Sequence, residues 1–176
     1  MTEVLMESRK VYSGPTVSVC CDRLRLNNGK EIERDVVSFP DNATIVPILD
    51  DGRIVLIQQY RHVLKSETWA LPAGKMDAGE TPLETAKREL REETGHSAKE
   101  FVLLKSLYVS ASYATEIAHL VKATGLTAGK QDLDENEQIR VEIFSVEEVS
   151  RMIDDGRLNQ MKSLMALSLC GIRGKG

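Results

Sequence analysis

The chain has 176 residues, 41% hydrophobic and 28% charged, with 23 Lys and Arg against 27 Asp and Glu for a formal net charge of −4. That length supports one well-buried core, with room for a small accessory subdomain but not for two ordinary enzyme domains, and the acidic balance speaks against nucleic acid or an anionic membrane as partner, since both select basic patches. The opening stretch MTEVLMESRK breaks its apolar run with charges, and no later run approaches the roughly 20 apolar residues of a membrane span, so neither a span nor export is expected. Cys20 and Cys21 are adjacent and Cys170 is distant. This matches neither a disulfide framework nor a metal-ligand spacing, and the expectation is reduced thiols in a cytoplasmic protein.

Taken in chain order, the segments 17–26 and 30–39 are strand-like and flank Asn27-Asn28-Gly29, which can supply the positive backbone angles of a tight hairpin. Pro40-Asp41-Asn42 breaks the pattern, so a boundary is placed near Asp41, with an antiparallel β-hairpin subdomain over 1–41 and the main domain over 42–176. Strands follow at 43–49 and 53–59 around the turn Asp50-Asp51-Gly52, and at 101–109, 116–123 and 138–144, where branched and aromatic residues recur. A helix is marked at both ends: Thr81 as N-cap, Pro82 at its first position, Glu84 completing a capping box, and Gly95 past Thr94. A second capping box, Ser145 with Glu148, opens a helix that Gly156 closes, and 159–170 reads as a last helix closed by Gly171. Mixed strands with three helices predict an α/β sandwich.

On the helix from Pro82 to Thr94, Leu83, Ala86 and Leu90 form a narrow apolar stripe, while Glu89, Glu92 and Glu93 gather on the neighbouring face. Glu89 and Glu93 are one turn apart, a like-charge pairing that costs an isolated helix about 0.2–0.5 kcal/mol. A bound cation reverses that cost, and carboxylate oxygens suit Mg²⁺ or Mn²⁺. The alternative is a solvated charged face with Arg88 paired to Glu92. Against it stands the preceding loop from Leu71 to Glu80, whose glycines can bring backbone carbonyls and a further carboxylate close to the helix.

The window GKMDAGETPLETAKRELREETGH resembles the Nudix box, in which a glycine, a glutamate and an Arg-Glu-x-x-Glu-Glu core stand at fixed spacing. Gly74, Glu80, Arg88, Glu89, Leu90, Glu92, Glu93 and Gly95 hold the required positions, and His96 departs from an aliphatic one. The resemblance implies a Nudix α-β-α sandwich with a mixed sheet, preceded by the small β subdomain, and a Mg²⁺ cofactor with Mn²⁺ as the other candidate. It implies that Glu89 and Glu93 bind metal, that Glu92 contributes directly or through water, and that Arg88 orients Glu92 or its neighbours. It further implies that Glu80 steadies the loop and that the Ala73 carbonyl serves one metal. The chemistry agrees: a pyrophosphate resists attack by water until cations neutralise its oxygens and orient the nucleophile. A P-loop is absent, because Gly74-Lys75 lacks the remaining glycine and the Ser or Thr.

Beyond the box, the run from Val55 to Arg61 and the run from Glu67 to Lys75 are similar to the ADP-ribose and ADP-sugar pyrophosphatase branch. Likeness to that branch implies hydrolysis of a nucleoside diphosphate sugar, first ADP-ribose to AMP and ribose 5-phosphate. Other nucleotide sugars, dinucleotide and flavin cofactors, nucleoside triphosphates and a catalytically inert nucleotide sensor remain as alternatives. It assigns Arg61 to substrate phosphates, the other reading being a surface arginine ending a strand; Trp69 either lines the pocket or packs in the core. Ala70 stands where many of these enzymes have glutamate, and Ser110-Ala111-Ser112-Tyr113 where many have Pro-Gly. Since glutamates engaged with metal accept protons poorly, the base is sought in the loop from Gln131 to Glu137. Similar loops imply Glu135 as base and Glu137 as auxiliary metal ligand, with the reverse order open. Two strands alone make no independent core, so a homodimer is expected in which the hairpin packs on or is exchanged with the partner, and the resemblance places Arg34 at the partner's substrate.

Overall fold

A computed structural model describes residues 3–133, 135 and 137–175. The chain divides into two compact units, Met1–Asp41 with Leu107–Ile117, and Asn42–Ser106 with Ala118–Gly176.

In the first unit, β1 (Val4–Ser13), β2 (Ser18–Arg25) and β3 (Glu31–Ser38) form an antiparallel sheet in the order β1-β2-β3. The expected hairpin is its β2-β3 half: Gly29 adopts φ 79°, and the Asn28 side chain accepts from the Lys30 amide at 3.0 Å. Two features correct the sequence reading. First, β1 adds a third strand; every one of its residues is exposed, so it lacks the alternation that betrays a half-buried strand. Second, residues 107–117 join this unit through backbone bonds from Val37 to Tyr113 (2.7 Å) and from Thr115 to Val37 (3.0 Å), a long-range pairing that no local pattern encodes.

The second unit holds β4 (Asn42–Ile48), β5 (Ile54–Arg61), β6 (Ser66–Ala70), β7 (Ala73–Lys75), α1 (Pro82–Thr94), most of β8 (Ser97–Tyr108) and β9 (Ile117–Thr127), β10 (Ile139–Phe144), α2 (Val146–Asp154) and α3 (Met161–Leu169). The sheet runs β10-β5-β4-β9-β8, with β6 beside β5 and β7 beside β4. It is mixed, because β4 pairs parallel with β9 and antiparallel with β5 and β7.

All residues from Asn42 to Pro47 are buried, which requires cover on both faces of this central strand. On one face α1 packs Ala86 and Leu90 against Ala43, Ile45, Val121 and Ala123. The other cover is α3, which also packs on β4 and whose buried Ser163 hydroxyl accepts from the Leu71 amide at 3.0 Å. Leu83 lies partly buried beside the α1 cluster, so the apolar stripe read from the sequence is the packing face. His96 is 8% exposed, with Nδ1 3.1 Å from the Thr94 carbonyl oxygen. A polar ring is thus tolerated in a packing position because the helix end gives it a partner. Strand β8 begins four residues before the expected Phe101, its polar start being allowed at the sheet's edge. Helix α3 starts two residues after the expected Asn159. None of the helices described is long and apolar enough to cross a membrane.

Candidate active site

The site grows from the join between β7 and α1. Pairing of Ala73 with Thr44 and of Gly74 with Ala43 fixes the loop after Leu71 to the central strand, and the Ile45 amide donates to the Pro72 carbonyl at 2.9 Å. At the helix start Thr81 and Glu84 form the reciprocal capping box, the Thr81 amide donating to the Glu84 carboxylate at 2.8 Å. At its end Gly95 takes φ 74°, a left-handed angle that costs glycine nothing, and its amide bonds the Arg91 carbonyl at 2.9 Å.

Between these ends, Arg88 gathers the acidic groups. Its Nε and Nη2 donate to the two oxygens of Glu80 at 2.9 and 3.0 Å, and Nη2 also donates to the Lys75 carbonyl at 2.9 Å. Nη1 donates to Glu89 at 2.6 Å and to Glu92 at 3.1 Å. The fixed fork of a guanidinium makes this arrangement possible, where an ammonium would offer a single point of charge. Glu80 also accepts from the Thr85 hydroxyl at 2.7 Å and the Asp77 amide at 3.0 Å. Led by the Arg88 bond, these partners pull its carboxyl down to about 2.

Glu93 lies in the opposite environment. It is 3% exposed, and its carboxylate accepts from the Ala73 amide at 2.7 Å. Burial pushes its carboxyl up to about 8, reinforced by the charges of Glu89 and Glu137 and opposed by the Ala73 bond and by Arg61. Burial likewise raises Glu89, against the pull of Arg88. Gly74 is required here for space rather than for its backbone angle, because a Cβ at that position would overlap the Glu89 carboxylate.

Three contacts attach the acidic loop to the far end of α1, and a fourth reaches the start of β10. The Asp132 amide donates to the Glu92 carbonyl at 3.1 Å, and Arg91 donates to the Asp132 carboxylate at 2.9 Å. The Gln131 side-chain amide donates to the carbonyls of Glu93 at 2.7 Å and Ile139 at 3.3 Å. Gln131 therefore ties the helix to the start of β10 and holds both ends of the loop between them.

Over residues 39–167 the chain matches the NUDIX domain family. The chain belongs to the Nudix hydrolases. It is 30% identical over 169 residues to the ADP-ribose pyrophosphatase of Bacillus subtilis strain 168, covering 95% of this chain and 91% of that one. It is 32% identical over 167 residues to the methanol dehydrogenase activator of Bacillus methanolicus, covering 94% and 90%. Among solved structures it resembles an ADP compounds hydrolase with a TM-score of 0.87 at 26% identity, covering 97% of this chain and 93% of that one.

Within this Nudix domain the structure brings together Ala73, Gly74, Glu80, Arg88, Glu89, Glu92 and Glu93, while Leu90 packs behind them. Arg61 ends β5 on the strand face it shares with Ile57, and its charge reaches Glu93. Glu137 is half-buried and its charge reaches both Glu89 and Glu93, whereas Glu135 is exposed. Asp134 and Asn136 of the same loop lie outside the described residues. Trp69, opposite Gln58, occupies the other face of the β5-β6 pair from Arg61. Its ring meets Phe144 edge-on at 5.1 Å, and the Arg140 guanidinium stands 5.3 Å from its centroid. Arg34 belongs to the first unit, opposite Asp22 and 3.8 Å from Glu3. Sequence reasoning missed Gln131, whose role depends on contacts 38 and 8 residues away, and nothing in its local pattern marks it.

The donor set fits a hard divalent cation. Glu89 and Glu93 are carboxylates in a region poor in solvent, both made more basic by burial and Glu93 also by the charge of Glu89, and Gly74 leaves room for Glu89. Among the described residues no three His, Cys, Asp or Glu side chains already converge as a cage. A hard divalent ion such as Mg²⁺ commonly takes one or two protein carboxylates and completes its shell with water and substrate phosphates.

The Glu80–Arg88 bond yields a stability prediction. A carboxyl held at about 2 against an ordinary 4.5 stabilises the fold fully above pH 4.5, and this contribution is lost as pH falls toward 2. Glu80→Gln should therefore cost about 1–3 kcal/mol near neutral pH, with the gap between variant and wild type closing between pH 4.5 and 2. Urea denaturation across that range checks it, and a gap independent of pH contradicts the assignment.

Proposed function

We propose that this Nudix hydrolase cleaves the pyrophosphate of a nucleoside diphosphate sugar with Mg²⁺, and that ADP-ribose, split to AMP and ribose 5-phosphate, is its leading substrate. The observation that carries this reading is the Arg88-ordered set of Glu80, Glu89 and Glu92 beside the buried Glu93. Similarity over nearly the full chain to an ADP-ribose pyrophosphatase supports the substrate class. Glu89 and Glu93, with Glu92 and the Ala73 carbonyl, would hold the metal. When bound, it neutralises phosphoryl oxygens and makes water a better nucleophile. Arg61 supplies a fixed positive charge to the diphosphate from the β5 end. Glu135, exposed in the acidic loop, takes the proton from the attacking water, while Glu137 assists at the metal. Mn²⁺ is the natural substitute, and the reduced thiols fit a cytoplasmic setting; Cys20, Cys21 and Cys170 are all free.

A panel of nucleotide sugars, dinucleotides and triphosphates assayed with Mg²⁺ tests the substrate. The highest kcat/KM should fall on ADP-ribose, chelation should abolish it, and a higher value on any triphosphate sinks the assignment. Glu93→Gln should remove most turnover at limiting Mg²⁺. It should also leave the metal-free fold as stable or more so, the advantage growing from pH 4.5 to about 8, since the folded wild type keeps a proton there that the unfolded chain has lost.

The division of labour in the acidic loop is read by kcat and Mg²⁺ dependence. A general base is typically worth about 10²–10⁴-fold, so Glu135→Gln should lower kcat by that order at unchanged metal affinity, while Glu137→Gln should weaken Mg²⁺. Losses below about threefold in both remove the loop from the chemistry.

Strand β1 also needs cover. It is the open edge of a three-stranded sheet, with Val4, Leu5, Met6, Val11 and Tyr12 all more than 40% exposed, a pattern that marks an interface. The residue 1–41 subdomain is assigned to a homodimer in which Arg34 reaches the partner's substrate. Light scattering at micromolar concentration should give a dimer, and Arg34→Ala should raise KM; a monomer or unchanged kinetics refutes the respective claim.

A further inference from the structure

Among the described residues, one buried side-chain atom has no hydrogen-bond partner, the Oε1 of Gln59. Buried polar groups in folded proteins are almost always paired, so an orphan acceptor points to a donor that arrives from outside. Its position is fixed from two sides. Along β5 it shares a face with Ile57 and with Arg61, whose charge reaches Glu93. Across the sheet its partner is Ile139, whose carbonyl accepts from the same Gln131 amide that bonds the Glu93 carbonyl. The fold does not call for polarity here, since Ile57, Ala70 and Ile139 form an apolar cluster on that face.

We infer that Gln59 is a specificity-determining residue whose side-chain carbonyl accepts a hydrogen bond from a pentose hydroxyl of the substrate. The inference rests on the function proposed above. A carbonyl oxygen only accepts, so the incoming group must donate, which excludes the ionised diphosphate itself. Residues two apart on a strand are separated by about 7 Å. With Arg61 on the diphosphate, that span reaches the hydroxyls of a directly attached sugar and falls short of the base beyond it. Both pentoses of ADP-ribose carry such hydroxyls, and the test separates them.

The experiment measures kcat/KM of wild type and Gln59→Met, a change that keeps length and removes the acceptor, on three substrates: ADP-ribose, its analogue deoxygenated on the adenosine sugar, and its analogue deoxygenated on the terminal sugar. One analogue should be about tenfold to hundredfold poorer for wild type. Gln59→Met should lose a similar factor on ADP-ribose and discriminate that analogue by less than about threefold, because one bond cannot be lost twice. Which analogue responds names the pentose. Additive losses, or full activity in the variant, overturn the role of Gln59 alone. Thermal melting without substrate supplies the second reading: Gln59→Met, relieved of an orphan acceptor, should melt no lower than wild type. A lower melting temperature with discrimination intact makes the residue structural and overturns the inference. Absence of wild-type turnover on every nucleoside diphosphate sugar overturns the function itself.

Discussion

The guanidinium of Arg88 is the point from which the rest of the site is arranged. Without it, Glu80, Glu89 and Glu92 would bring three negative charges to one turn of helix and the loop before it. With it, five donor contacts, from 2.6 to 3.1 Å, fix the loop carbonyl of Lys75 and all three carboxylates in one frame. The cation does not merely offset charge. Its planar fork divides the work, giving one edge to Glu80 as a bidentate anchor and the remaining nitrogen to Glu89 and Glu92. Loop and helix become a single rigid piece, which a site that must place a phosphate to within a fraction of an ångström requires.

That piece is held to the sheet by backbone rather than side chains. The short strand β7 pairs with the buried β4, so the Ala73 amide that meets Glu93 and the glycine that clears space for Glu89 are both positioned by the centre of the fold. Leu90 and Ala86 seat the opposite side of the helix on Ala43 and Ile45 of the same strand. One strand thus fixes both the loop and the helix that carry the acidic groups, and error in one is shared by the other.

What the sequence made legible follows the range of the forces involved. Helix α1 runs from Pro82 to Thr94, the limits its caps announce, because a capping box and a C-terminal glycine are interactions between residues three or four apart. The Nudix motif was legible for the same reason, its charged groups being crowded into one loop and one helix. Strand β1 was not, because exposure on both faces erases the alternation that burial imposes. Nor were β6 and β7, whose existence depends on pairing with β5 and β4. Trp69 and Arg61 look alike as candidates in the sequence. Only the hairpin register, Arg61 opposite Ser66 and Gln58 opposite Trp69, sends them to opposite faces and gives the indole to Phe144 and Arg140.

Two glutamates of the same motif end with affinities for the proton that lie far apart, Glu80 near 2 and Glu93 near 8. The cause is the unequal distribution of positive charge and donors. Glu80 receives two guanidinium bonds, a hydroxyl and an amide, whereas the more deeply buried Glu93 receives one amide and the nearby carboxylates of Glu89 and Glu137. Environments that push like groups apart separate their roles. A carboxylate saturated with donors stays ionised and serves as an anchor. One left short of positive charge in a buried place favours its protonated form, so the acidity concentrated on α1 is sorted into unlike environments rather than spread over a solvated helix face.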